Sequence, residues 1–211
     1  MSTIAENIAS VRVRMAEAAR AAGRSPQEIL LCGASKMNDA AACREAISAG
    51  IDCLGENRVQ EMVQKRSEHA YVGAPLHFIG VLQKNKVRQV VGQVDLIHSV
   101  DSMGLLDEID KRAAMNGLTQ NILLEVNIGG EESKSGVSPE ALWPLLDAAA
   151  AQEHIRVKGL MAIPPVNDDD AQNRRYLAAV HDLFVKAGER GYSNVEMQTL
   201  SMGMSGDFEN A

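Results

Sequence analysis

The feature that most constrains this chain is an alternation. Short apolar runs rich in Ile, Leu and Val recur between stretches whose apolar residues fall at helical spacing. The runs cover residues 29–34, 52–54, 76–79, 96–100, 121–126, 157–161 and 196–200, which makes seven candidate strands. Helical spacing is clearest at 39–49, 57–66, 102–116, 139–151 and 170–187, and the N-terminal MSTIAENIASVRVRMAEAARAAG shares it. Nearly unbroken apolar strands, each followed by a helix, imply parallel strands covered by helices: either a doubly wound sheet or a (β/α)8 barrel. No Gly-x-Gly-x-x-Gly follows the first strand, where a dinucleotide fold carries it, and this favours the barrel. A closed barrel calls for an eighth strand, and no eighth run follows the seventh. Local signals agree with this frame. SPQE at 25–28 has the form of a capping box before a short helical turn, and Ser138 before Pro139 suits a helix start. The acidic run at 168–170 fits a loop leading into a helix.

A chain of 211 residues can bury one good-sized core, so a single domain over 1–211 is expected. Aromatic residues make up only 3% and the net charge is -7, a poor basis for stacking bases or neutralising phosphates, so nucleic acid is not an expected partner. No apolar run is long enough to span a bilayer, and Glu6 and Glu17 argue against a transit peptide. Cys32, Cys43 and Cys53 are odd in number and lack Cys-x-x-Cys spacing, so neither a disulfide framework nor a metal site is indicated. A reducing cytoplasm fits best.

In a barrel, the residues just after each strand gather on one face and build the site. Here they are Ser35 and Lys36 after the first strand, then Gly55, Glu56 and Asn57, then Gly80 and Gln83. Ser99 and Asp101, Asn127, and Pro164 with Pro165 follow the next three. After the seventh comes SMGMSGD, residues 201–207. Gly203 and Gly206 allow backbone N–H groups to face an anion, Ser201 and Ser205 add hydroxyls, and a helix is expected near Asp207. This reads as half a phosphate cup or as an ordinary glycine-rich turn. Most lysines at strand ends are solvated, yet Lys36 at one strand end and such a cup at another suit an aldehyde-bearing phosphate ester, because a deprotonated amine forms a Schiff base. Pyridoxal 5'-phosphate (PLP) is such a ligand. His77 and His98 read as hydrogen-bonded structural residues, Lys134 as a solvated loop lysine, and most of the ten methionines as core.

Seven segments carry a wider resemblance: ASKMNDA around Lys36, LGENRVQEM at 54–62, LHFIGVLQKNKV at 76–87, LIHSVDS at 96–102, VNIGGEESKSGV at 126–137, GLMAIPP at 159–165 and LSMGMSGDFE at 200–209. Through them the chain resembles the YggS/PROSC family of pyridoxal phosphate homeostasis proteins. The resemblance implies a (β/α)8 TIM barrel of the alanine racemase N-terminal-domain type, with PLP as cofactor on Lys36. It also implies Asn57 near the cofactor, Ser201, Met202, Gly203, Met204 and Ser205 around its phosphate, and no catalytic residue. Where the family usually has Thr-Lys-Pro after the cofactor lysine, this chain has Met37, Asn38 and Asp39, so a neighbouring cation is lost. The family continues into a last strand with an Arg-Ile-Gly motif. That strand is missing from this chain, and with it the expected second half of the cup and the arginine facing the pyridine nitrogen.

A racemase of this lineage needs a second acid–base group, a tyrosine from an added β domain. Tyr71, Tyr176 and Tyr192 are expected away from the strand ends. The leading expectation is therefore a cytoplasmic, monomeric protein that holds PLP without turnover and touches PLP-dependent apoenzymes transiently. The alternatives are a fold-type III PLP enzyme with weak racemase activity and a class I aldolase using Lys36.

Overall fold

The computed structural model describes residues 2–166 and 169–211, in two compact units, Met1–Ile79 and Gly80–Ala211. In the first unit, α1 (Ile4–Ala21) begins at a true capping box. Thr3 accepts the N–H of Glu6, and the Glu6 carboxylate accepts the N–H of Thr3. β1 (Cys32–Ala34), β2 (Cys53–Glu56) and β3 (Leu76–Phe78) then pair in chain order, all parallel, with α2 (Ala40–Ser48) and α3 (Val59–Ser67) as their crossovers. Asp39 caps α2 by accepting the N–H of Ala42.

The second unit continues the pattern with β4 (Leu96–Val100), β5 (Gln120–Glu125), β6 (Ile155–Met161) and β7 (Val195–Ser201), again parallel and in chain order. Its helices are α4 (Met103–Met115), α5 (Leu142–Ala150) and α6 (Asp170–Gly188). β4 and β5 bury almost every residue, as strands covered on both faces must, and α5 and α4 bury Leu145, Leu146, Leu106 and Ile109. In neither unit is a strand inserted out of order. A doubly wound sheet reverses its order at a switch point, whereas barrel strands follow one another. No described helix is long and apolar enough to cross a membrane.

Three local expectations are corrected. SPQE forms only a 3-10 turn, Pro26–Glu28, in which Ser25 makes no cap; its hydroxyl bonds Gln27 and Glu28 pairs with Arg24. The turn is too short for a reciprocal box. Ser138 does accept the N–H of Ala141, but it caps a preceding turn, and α5 starts only at Leu142. Near Asp207 the chain makes turns closed by Asp207 and Phe208 N–H groups on the Met204 carbonyl, with no helix. Of the acidic run, Asp168 lies outside the described residues; Asp169 caps α6 through the N–H of Ala171, and Asp170 is its first residue.

Candidate functional site

In the first unit, the site is built on the mouth of β1 and β2. Ser35, Lys36, Met37 and Asn38 form a tight turn closed by the Asn38 N–H on the Ser35 carbonyl at 3.1 Å. Met37 takes φ 63°, the positive value a type II turn demands at its third position and one that usually selects Gly or Asn. Both neighbours of Lys36 are held. The Ser35 N–H reaches the Gly55 carbonyl at 2.9 Å, and the Met37 N–H donates to Glu61 Oε2 at 3.0 Å. Lys36 itself is exposed at the apex, with its carbonyl accepting from Asn38 Nδ2.

Behind the turn lies a buried polar cluster. Glu56, the last residue of β2, is fully buried, and its Oε1 accepts from Lys65 Nζ at 2.7 Å, Ser35 Oγ at 2.7 Å and the Tyr71 hydroxyl at 2.8 Å. Lys65 Nζ also donates to the Ser35 carbonyl at 2.7 Å and lies 3.7 Å from Glu61 Oε2. Two buried charges are costly to desolvate, and they persist here because they are paired and hydrogen-bonded. The cluster ties the turn carrying Lys36 to β2 and α3. Burial, with Glu56 beside it, pushes the Tyr71 hydroxyl pKa up, so Tyr71 acts as a donor. The accepted Met37 N–H holds the Glu61 carboxyl below the usual range.

Asn57, next along from Glu56, is half-buried, and its buried Oδ1 has no hydrogen-bond partner among the described residues. Such an acceptor is suited to a ligand's donor. The sequence-predicted pair Lys36 and Asn57 thus sits on adjacent strand ends of one unit. At Gly55, between them, a Cβ would lie 2.6 Å from Ile79 Cδ1 and 3.0 Å from Cys32 Sγ, so any larger residue would push these side chains aside.

The remaining predicted residues belong to the second unit. Ser201 ends β7 with its Oγ 3.0 Å from His98 Nδ1, and His98 is buried in β4, the structural role expected of it. Met202 and Gly203 are half-buried and Met204 and Ser205 exposed, with Gly203 at φ 89°. The Met204 N–H is already taken by the Asp207 carboxylate, which in turn accepts from Asn173 Nδ2 at 3.0 Å. This segment is therefore a braced turn, and its Met204 N–H reaches an anion only if Asp207 moves away.

One residue escaped the sequence reading, and two were misread. Lys65 stands in the last turn of α3, where a solvated lysine near the helix C-terminus is the default, and Tyr71 is not remote from the strand ends, since its hydroxyl reaches Glu56. Lys134 is not a solvated loop lysine either: it pairs with Glu131 at 2.6 Å and donates to the Pro164 carbonyl at 3.3 Å, bracing its loop.

Comparison with known proteins agrees with this geometry. The family described as alanine racemase, N-terminal domain, matches residues 3–211. A pyridoxal phosphate homeostasis protein of Aquifex aeolicus is 42% identical over 98% of this chain and 90% of its own length. Its namesake in Pseudomonas aeruginosa is 41% identical over 100% and 89%. The solved structure of PipY from Synechococcus elongatus with PLP bound superposes with TM-score 0.84 at 31% identity, covering 99% of this chain and 92% of that one. An alanine racemase from Streptomyces lavendulae shares the fold alone, with TM-score 0.74 at 20% identity. The fold class is α/β, of the barrel type found in the alanine racemase N-terminal domain, with seven strands among the described residues. The chain belongs to the YggS/PROSC family of pyridoxal phosphate homeostasis proteins.

Proposed function

We propose that residues 1–211 act as one PLP-binding domain that holds the cofactor on Lys36 and serves intracellular vitamin B6 homeostasis without turnover. The observation that carries this reading is the turn 35–38, which exposes the amine of Lys36 while hydrogen bonds fix the residues on either side. Attachment joins Lys36 Nζ to the cofactor aldehyde carbon and releases water. Asn57 supplies an acceptor to the bound cofactor, and Ser201, Met202, Gly203, Met204 and Ser205 serve its phosphate. The names of the curated relatives and the PLP-bound PipY support the ligand.

A carrier is favoured over a racemase by the commitments of two tyrosines. Tyr71 and Tyr192 donate to Glu56 and Asp147; burial, with Glu56 beside it, holds the Tyr71 phenol protonated, and the bond to Asp147 does the same for Tyr192. Three free cysteines suit a reducing cytoplasm, and transient delivery to apoenzymes by a monomer completes the proposal. The test is the visible spectrum of protein incubated with PLP. Lys36→Ala should lose the Schiff-base absorption while keeping its far-ultraviolet circular dichroism. A yellow band retained by the variant refutes attachment there, and steady conversion of L- to D-alanine by the unmodified protein would favour the racemase.

A further inference from the structure

Parallel pairing brings together groups that the chain keeps far apart. Cys32 of β1 and Cys53 of β2 are cross-strand partners, and His77 of β3 stands opposite Gly55, two residues further along β2 on the same face. The two Sγ atoms and a ring nitrogen of His77 all lie within 4.8 Å of one another. Tetrahedral zinc with bonds of about 2.3 Å to sulfur and about 2.0 Å to nitrogen spaces such ligands roughly 3.5–3.8 Å apart, so side-chain adjustments of about 1 Å close the site. Cys53 is buried while Cys32 and His77 are half-buried, which leaves a path for an ion. The absent side chain at Gly55 is what gives Cys32 Sγ its room.

We propose that Cys32, Cys53 and His77 bind a thiophilic divalent cation of the zinc type, with a fourth position open to solvent. The donor set of two thiolates and one imidazole is the kind zinc takes with three protein ligands. The Cys53 thiol donates to Cys32, which lowers the Cys32 pKa, and that bond together with burial raises the Cys53 thiol, so an arriving ion has to displace the Cys53 proton. Binding forms two metal–sulfur bonds and one metal–nitrogen bond and releases the thiol protons, so affinity rises with pH. The ion would staple β1, β2 and β3 together, with Cys32 four residues before Lys36 and Cys53 four residues before Asn57.

The test is titration of the reduced, full chain with cobalt(II) followed by zinc(II). One equivalent of cobalt should give a thiolate charge-transfer band and the visible bands of a tetrahedral ion, and zinc should bleach both. Cys32→Ser and His77→Gln should each weaken binding at least about tenfold, while Cys43→Ala, which removes the thiol outside the cluster, should leave the titration unchanged. The proposal is overturned if the reduced wild-type chain gives no thiolate–cobalt band. It is equally overturned if the band survives in Cys32→Ser or is lost in a folded Cys43→Ala protein, or if the pair takes no metal and only oxidises to a disulfide.

Discussion

Replacing Lys65 by Met tests the cluster beneath the turn that carries Lys36. The substitution keeps most of the side chain's apolar stem and removes the ammonium, so packing changes little. What remains is Glu56, fully buried, with its Oε1 still bonded by Ser35 and Tyr71 but with its cation at 2.7 Å gone and Oε2 without a partner among the described residues. Breaking a buried pair from one side costs about 3–5 kcal/mol, against about 0–1 for an exposed pair such as Arg24–Glu28. For a chain of this size that corresponds to a fall of roughly 6–20 °C in thermal midpoint. The double variant Glu56→Gln, Lys65→Met leaves no buried charge in this cluster and should recover part of the loss. Because Lys65 also donates to the Ser35 carbonyl, PLP affinity should fall as well, with the absorption of the attached cofactor still forming. Urea unfolding of the three proteins, with PLP titration alongside, decides the matter. A Lys65→Met cost below about 1 kcal/mol, the level of an exposed pair, would refute the claim that the buried charge pair organises this end of the strands.

Acid should loosen the same turn. The Glu61 carboxyl is held down by the Met37 N–H, so its contribution to stability is complete above the unfolded carboxylate pKa of about 4.3 and is lost as pH falls through the lower folded value; Glu61→Gln should flatten that acid limb in pH-dependent urea melts. Ser201→Ala should weaken PLP more than pyridoxal, since only the former presents a phosphate, and equal losses would reject the phosphate role. Gly159→Ala should prevent soluble folding, because at φ 150° its Cβ would fall on the Thr199 carbonyl of the adjacent strand; a soluble variant with a normal melt would contradict that packing.

The seven strands, their parallel pairing and the six helices were legible because periodicity is a local property: alternation of apolar runs with helical spacing needs no knowledge of distant residues. Lys36 and Asn57 were legible for a related reason, since polar residues that end apolar runs must lie at the strand mouths. Capping was read less well. Ser25 had the right residues but only a three-residue turn to cap, whereas Thr3 and Glu6, ahead of a full helix, formed the box. The Glu56 cluster could not be read at all, because Ser35, Lys65 and Tyr71 converge on one carboxylate through folding and carry no spacing that marks them. The same holds for Cys32, Cys53 and His77, whose proximity is set by strand register, a quantity that a shift of one residue would reverse. What the sequence determined by itself was which segments are strands and helices and which residues end them. Which long polar side chains meet in the interior was decided only by tertiary structure, because burial selects whatever partners can satisfy a charge, wherever in the chain they come from.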